Sequence, residues 1–332
     1  MVLDRQSLCS GKDGHRDCFW KGEKPLRKNL KSVILMITIC ITMLTGCGIT
    51  EHGKTVSNKD RENVEDTVGN SKSVDENSTE GKKKDDLKEC LTMGNENYKG
   101  FQMDNVLHSV SLGDIHFHIY VPDSYDGSEM YALYVTLPGY EGLYFQGAGA
   151  NLKSENFAFE SQKYNDKMII VAPQLDDWQE TSANKTVELV KFLMEYYNID
   201  HSKVYANGYS GGGETMSFVL EKVPELFTAY LQCSSRWDGD FSGVIENRLP
   251  VYFVIGENDE YYGSEPTKQT YEKMREEYEK QGLTVEQIDK LLILDVKEHA
   301  YFADGGVSVE HGGGVLFAQD KNIMGWLFSQ EK

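Results

Sequence analysis

The chain has 332 residues, with 34 Lys and Arg against 53 Asp and Glu, a net charge of -19. That balance argues against a nucleic-acid partner, because binding phosphates needs a basic face. Composition excludes collagen, a coiled coil, a multi-span membrane protein and a disulfide scaffold. The acidity is unevenly placed: residues 1–95 hold 16 basic and 15 acidic side chains, residues 96–332 hold 18 and 38.

Residues 32–44 form an uncharged apolar run of 13 behind Lys21, Lys24, Arg27, Lys28 and Lys31. Such a run is short for a bilayer, which needs about 20 residues, and fits the core of a signal peptide. Leu44-Thr45-Gly46-Cys47 follows directly and resembles the lipobox of bacterial lipoproteins. The resemblance implies that residues 1–47 are a leader and that Cys47 is lipidated. The protein would then be exported and held on the outer face of a bacterial cell membrane by that anchor alone. Cys9, Cys18 and Cys40 would leave with the leader, and Cys90 and Cys233 are too few for a disulfide framework. Residues 48–95 are rich in Lys, Glu, Asp, Asn, Ser and Gly, with hardly an aromatic. They cannot bury enough apolar area to offset their ordering entropy, so they read as a disordered polar tether.

Residues 96–332 read as one domain of alternating strands and helices. Val106–Val121 holds two alternating runs split by Gly113-Asp114, a hairpin signal. Tyr131–Leu137 is a buried strand ending at Pro138-Gly139, and Met168–Ala172 is another, stopped by Pro173. Ala183–Tyr197 carries apolar residues at a helical period. Lys203–Ala206 is a short strand, followed by a glycine-rich turn and a helical stretch to Val223. Phe227–Gln232, Val251–Ile255 and Leu291–Val296 complete the strands. Ser264–Lys290 is a charged helical insertion between the last two, and residues 320–330 close the chain as an apolar-faced helix. The alternation predicts an α/β fold, a mostly parallel sheet with helices on both faces.

The chemistry concentrates at strand ends. Gly208-Tyr209-Ser210-Gly211-Gly212 sits between a strand and a helix, in the pattern Gly-x-Ser-x-Gly. Flanking glycines let a serine occupy a sharp turn, its hydroxyl projecting from the carboxyl edge of the sheet. With this motif in this context, residues 96–332 resemble the α/β-hydrolases. They look most like the dienelactone-hydrolase, feruloyl-esterase and polyhydroxybutyrate-depolymerase group of secreted serine esterases. The resemblance implies Ser210 as nucleophile, followed in chain order by an acid and a histidine.

The acid is expected in Gly256-Glu257-Asn258-Asp259-Glu260, on the loop after a strand. Gly-x-x-Asp is the usual look of this loop, which points to Asp259, with Glu257 and Glu260 as competitors. Two histidines follow the last strand, His299 and His311. In the related esterases the catalytic histidine lies nine residues before an Asp and fifteen before a Trp-Leu. Asp320 and Trp326-Leu327 stand at those distances from His311, so His311 is the expected base and His299 the alternative. The family pattern also has an aromatic three residues after the histidine, where this chain has Gly314. Gly211 and Tyr140 are the expected backbone donors of an oxyanion hole. Pro138-Gly139 stands where the family shows His-Gly.

Trp178, Trp237, Arg236 and Tyr261 follow strands on the same edge and are candidate substrate contacts, Arg236 for a carboxylate. Glu141–Gly147 resembles a viral protease site used to remove expression tags, but within the domain it reads as native sequence. No HExxH, zinc spacing, Walker loop or GxGxxG appears, so no metal or cofactor is expected. The leading expectation is hydrolysis of a small-molecule or polymer-linked carboxylic ester through an acyl-enzyme. A prolyl-oligopeptidase-type serine peptidase and a non-catalytic surface-anchored binding lipoprotein are the alternatives.

Overall fold

Half-buried strands form one side of the sheet and fully buried ones its centre. The computed structural model describes residues 89–332 apart from 141, 142, 144–148 and 155. The leader, Cys47 and most of the tether lie outside the described residues, as does nearly all of Glu141–Gly147. Cys90–Thr92 (β1) and Glu96–Tyr98 (β2) pair antiparallel with Phe101–Ser109 (β3). β3 pairs antiparallel with Gly113–Tyr120 (β4), completing the expected hairpin. Every second residue of β3 from Phe101 to Ser109 is buried, the period of a strand with one wet face.

The sheet therefore begins before the domain boundary expected at residue 96. Cys90 pairs with His108 and Thr92 with Val106, so Cys90 belongs to the sheet, not the tether. Three residues are too few to show a period of their own; the neighbouring strand supplies the order.

Six further strands are Tyr131–Leu137 (β5), Met168–Pro173 (β6), Ile199–Tyr209 (β7), Ala229–Cys233 (β8), Val251–Gly256 (β9) and Leu292–Lys297 (β10). The order across the sheet is β1-β3-β4-β6-β5-β7-β8-β9-β10, with β2 on β3. All pairings from β6 to β10 are parallel, and β4 joins β6 antiparallel. Every residue of β5, β6, β8 and β9 is buried, as both-face covering requires.

The helices are Ala150–Ser154 (α1), Phe157–Glu160 (α2), Glu180–Tyr196 (α3), Gly211–Lys222 (α4), Ser242–Asn247 (α5), Glu265–Lys280 (α6), Val285–Leu291 (α7), His299–Asp304 (α8), Gly314–Gln319 (α9) and Lys321–Phe328 (α10). Alternate residues of β5 face two separate apolar layers. Leu133 and Val135 join Leu189 and Leu193 of α3, Met216 and Leu220 of α4, and Met274 of α6. Ala132 and Tyr134 join Phe157 of α2, Phe302 of α8, Phe317 of α9 and Leu327 of α10.

The charged insertion is part of this layering. It forms α6 and α7, the second opened by a capping box between Thr284 and Gln287. Met274, Tyr278 and Ile288 are fully buried in the first apolar layer, which anchors the insertion against the sheet. The loops after β5, β7, β8, β9 and β10 all leave the same carboxyl edge, where ligands bind in open α/β sheets.

Candidate active site

Ser210 stands between β7 and α4 with φ 52° and ψ -125°, a backbone region that costs a non-glycine residue about 1–3 kcal/mol. The turn around it is too tight for side chains. A Cβ on Gly208 would lie 2.6 Å from the Gly212 carbonyl oxygen, and one on Gly212 would lie 2.4 Å from that of Pro138. The Ser210 N–H donates to the Cys233 carbonyl at 3.0 Å, and Ser235 Oγ donates to the Ser210 carbonyl at 2.6 Å. The following strand thus fixes the strained residue on both sides of its peptide unit.

Ser210 is 9% exposed and its Oγ lies 3.0 Å from Nε2 of His311. Nδ1 of His311 lies 2.8 Å from Oδ2 of Asp259. The other oxygen of Asp259 accepts the N–H groups of Tyr261 and Tyr262 at 3.0 and 2.8 Å. Burial by itself would raise the Asp259 carboxyl, but the bonds from His311 and from these N–H groups outweigh it and hold it below the usual carboxylate range. An ionised carboxylate only accepts, so the Nδ1 proton points at Asp259 and the Nε2 lone pair faces the serine.

The three residues come from three loops, 49 and 52 positions apart in chain order. Asp259 follows the end of β9, and His311 lies in a 3-10 turn, Glu310–Gly312, between α8 and α9. The rings of Tyr261, Tyr262 and Tyr209 stand 5.3, 5.5 and 6.0 Å from that of His311. The Tyr209 hydroxyl donates to the His311 carbonyl.

His299, the alternative base, is placed elsewhere. Its side chain is 67% exposed and Nδ1 meets Oε1 of Glu310 at 3.1 Å. It is the first residue of α8, shortly after β10, and among the described residues its ring bonds to neither Ser210 nor Asp259.

Gly211 is the first residue of α4, and no acceptor among the described residues takes its N–H. Tyr140 lies on the loop after β5, held close to α4 by the contact of Gly212 with the Leu137 and Pro138 carbonyls. Its side chain is 56% exposed, with its ring 5.9 Å from that of Trp178. The Trp178 ring covers Gly211 so closely that a Cβ there would lie 2.5 Å from it.

The remaining expected contacts divide. Tyr261 is 68% exposed beside His311 and is available to a substrate. Arg236 is already engaged, 3.0 Å from Asp238 and 3.5 Å from Glu214, with its guanidinium over the Tyr262 ring. Trp237 does not line the site. Its ring packs on Tyr230 and Phe253 at 6.0 and 6.1 Å, at the margin of the first apolar layer. Consecutive residues point opposite ways here, so Arg236 turns outward and Trp237 inward.

Several neighbours carry no sequence signal. The Tyr262 hydroxyl donates to Glu214 at 2.6 Å, and burial followed by this carboxylate pushes the phenol well above its ordinary range. Glu260, a competitor for the acid, bonds instead to the backbone of the base loop, and Glu310 is buried beside it. Among the described residues, no three His, Cys, Asp or Glu side chains are grouped to hold a metal ion.

No protein-family model and no curated protein matches the sequence. Solved structures do. A thermostable esterase is similar with a TM-score of 0.57 and 21% identity, over 70% of this chain and 64% of the esterase's. The chain has the α/β-hydrolase fold. The match thus spans just under two thirds of that esterase's own length. A dienelactone hydrolase from Anabaena variabilis matches at a TM-score of 0.45 and 13% identity, over 70% of this chain and 100% of that one. Oligopeptidase B from Leishmania major matches at 0.45 and 12%, over 69% of this chain and 37% of that one. Within the α/β-hydrolase fold, Ser210 occupies the strand-to-helix turn at the carboxyl edge, with Asp259 and His311 on later loops.

Proposed function

We propose that this protein is a serine hydrolase that cleaves a carboxylic ester through an acyl-enzyme. The observation that carries the reading is the hydrogen-bonded relay Ser210–His311–Asp259, with bonds of 3.0 and 2.8 Å. The ester preference is supported by the spacing of His311 to Asp320 and Trp326, which resembles that of secreted esterases.

In this mechanism Ser210 Oγ attacks the ester carbonyl carbon while Nε2 of His311 takes its proton. Asp259 holds the ring in its tautomer and stabilises the imidazolium that forms. The carbonyl oxygen becomes an oxyanion facing the N–H groups of Gly211 and Tyr140, each such donor being worth about 10²–10³ in rate. The intermediate collapses when His311 returns the proton to the leaving alkoxide. Water then attacks the acyl-serine, His311 accepts a proton from it, and release of the acid restores the Ser210 hydroxyl. Tyr261 and Trp178 flank the reacting centre and would contact the substrate.

The motif at Cys47 supports export and lipid anchoring of this activity on the outer face of a bacterial membrane. A lipid-labelling signal that persists in Cys47→Ala would sink that part of the reading.

The activity is tested on residues 89–332 with short p-nitrophenyl esters and a fluorophosphonate probe. Wild type should hydrolyse the esters and react with the probe. Ser210→Ala and His311→Ala should lose turnover, and His299→Ala should keep it. A folded wild type inert to both reagents would overturn the proposal.

A further inference from the structure

His311 sits neither on a strand nor on a long helix, although its ring must meet both Ser210 and Asp259 within a few tenths of an ångström. Groups on loops need outside support to hold such geometry. We propose that Glu260 is a positioning residue that locks the His311 turn to the Asp259 loop. The proposal rests on the reading of Ser210, His311 and Asp259 as the reacting relay.

The two loops exchange carboxylates. Oε1 of Glu260 accepts the Glu310 N–H and Oε2 accepts the His311 N–H, both at 3.0 Å. In the opposite direction Oε2 of Glu310 accepts the Asn258 N–H at 2.7 Å. Oε1 of Glu310 takes the Asn258 amide at 3.3 Å and His299 Nδ1 at 3.1 Å. The residues on either side of Asp259 are therefore bonded to the residue before His311 and to His311 itself. The Asp259–His311 bond lies inside a closed clasp.

Two features distinguish Glu260 from an ordinary surface carboxylate. Its acceptors meet consecutive N–H groups at the start of a 3-10 turn, donors that have no partner within the turn. Water could satisfy each donor singly but would not tie one loop to the other. The side chain of Glu260 is otherwise exposed and fills no part of either apolar layer. Its removal should therefore loosen the histidine without unfolding the domain. The backbone bond from His311 is the main cause holding the Glu260 carboxyl below its ordinary range.

The test compares Glu260→Ala, Glu260→Asp and the control Glu257→Ala, which removes a nearby exposed carboxylate whose side chain makes no bond to the base loop. Displacing a reacting group by about 1 Å costs on the order of 10²-fold. Glu260→Ala should therefore lower kcat by about 10–10²-fold with little change in KM, and Glu260→Asp should recover part of it. Glu257→Ala should match wild type, and thermal unfolding midpoints should stay close in all three. The second readout needs no substrate: the low-field proton resonance of the Asp259–His311 bond should be sharp in wild type and broadened or lost in Glu260→Ala.

A Glu260→Ala enzyme with unchanged kcat and an unchanged resonance overturns the proposal. So does a loss of kcat matched by a large fall in the unfolding midpoint, which would make Glu260 merely structural. An inert wild type would overturn the ester reading alone, because the resonance would still decide whether Glu260 holds the histidine.

Discussion

Tyr209 and Gly314 share one space. The phenol ring, anchored by its hydroxyl on the His311 carbonyl, lies where a side chain at 314 would go, and a Cβ there would stand 3.0 Å from the ring. The space beside Gly314 is thus filled by the ring of the residue before Ser210. Gly314→Phe should therefore overpack the site and cost about 1–3 kcal/mol. Adding Tyr209→Ala should return part of that cost. A double-mutant cycle in urea checks it, and simple additivity of the two changes would contradict the shared space.

Ser210 holds its positive φ because the bonds to Cys233 and from Ser235 leave it no choice. Ser210→Gly relieves strain of about 1–3 kcal/mol and gives back about 0.5–1 kcal/mol through the entropy of the unfolded chain. The variant should be more stable than wild type in chemical denaturation and inactive toward esters. A destabilised Ser210→Gly would mean that the turn carries little strain.

Gly212 meets the Leu137 and Pro138 carbonyls, so it sets how close the Tyr140 loop comes to the first turn of α4. Gly212→Ala should push that loop away from the first turn of α4. On the proposed role of Tyr140 as second oxyanion donor, kcat should fall by about 10²–10³-fold, with KM changing much less. Steady-state kinetics on a folded variant decides; unchanged kcat would place the second donor elsewhere.

The Asp259 carboxyl is held below its ordinary range in the folded protein, because its hydrogen bonds favour the charged form. A carboxyl depressed by folding contributes stability above its unfolded value, about 3.9, and that contribution fades as pH falls through the folded value. Asp259→Asn should cost about 1–3 kcal/mol near neutrality through lost bonding to His311. The gap between the two proteins should narrow below about pH 4. Urea titrations between pH 7 and 3 measure it, and a gap that widens in acid would contradict the sign. The same variant should lose about 10⁴-fold in kcat.

What the sequence determined by itself is local. The limits of β5 and the start of β9 coincide with the expected runs, since continuous burial writes apolar residues consecutively and Pro or Gly ends them. The turn at Gly208–Gly212 was legible because its geometry is enforced within five residues. The charged insertion was recognisable as helical from its composition, but only burial of Met274, Tyr278 and Ile288 shows it to be part of the core. The partners of the histidines were decided by tertiary structure. His299 and His311 lie twelve residues apart after the same strand; the spacing to Asp320 and Trp326 favours His311 only through a resemblance, and neither histidine's neighbours in the chain name its partners. His299 bonds to Glu310, whereas His311 lies between Ser210 and Asp259. The carboxylate exchange between Glu260 and Glu310 leaves no local pattern, and neither does the packing of Trp237 on Tyr230 and Phe253. Hydrogen bonds between side chains and backbones 50 residues apart follow from where loops meet. A residue's own neighbours in the chain carry no record of that meeting.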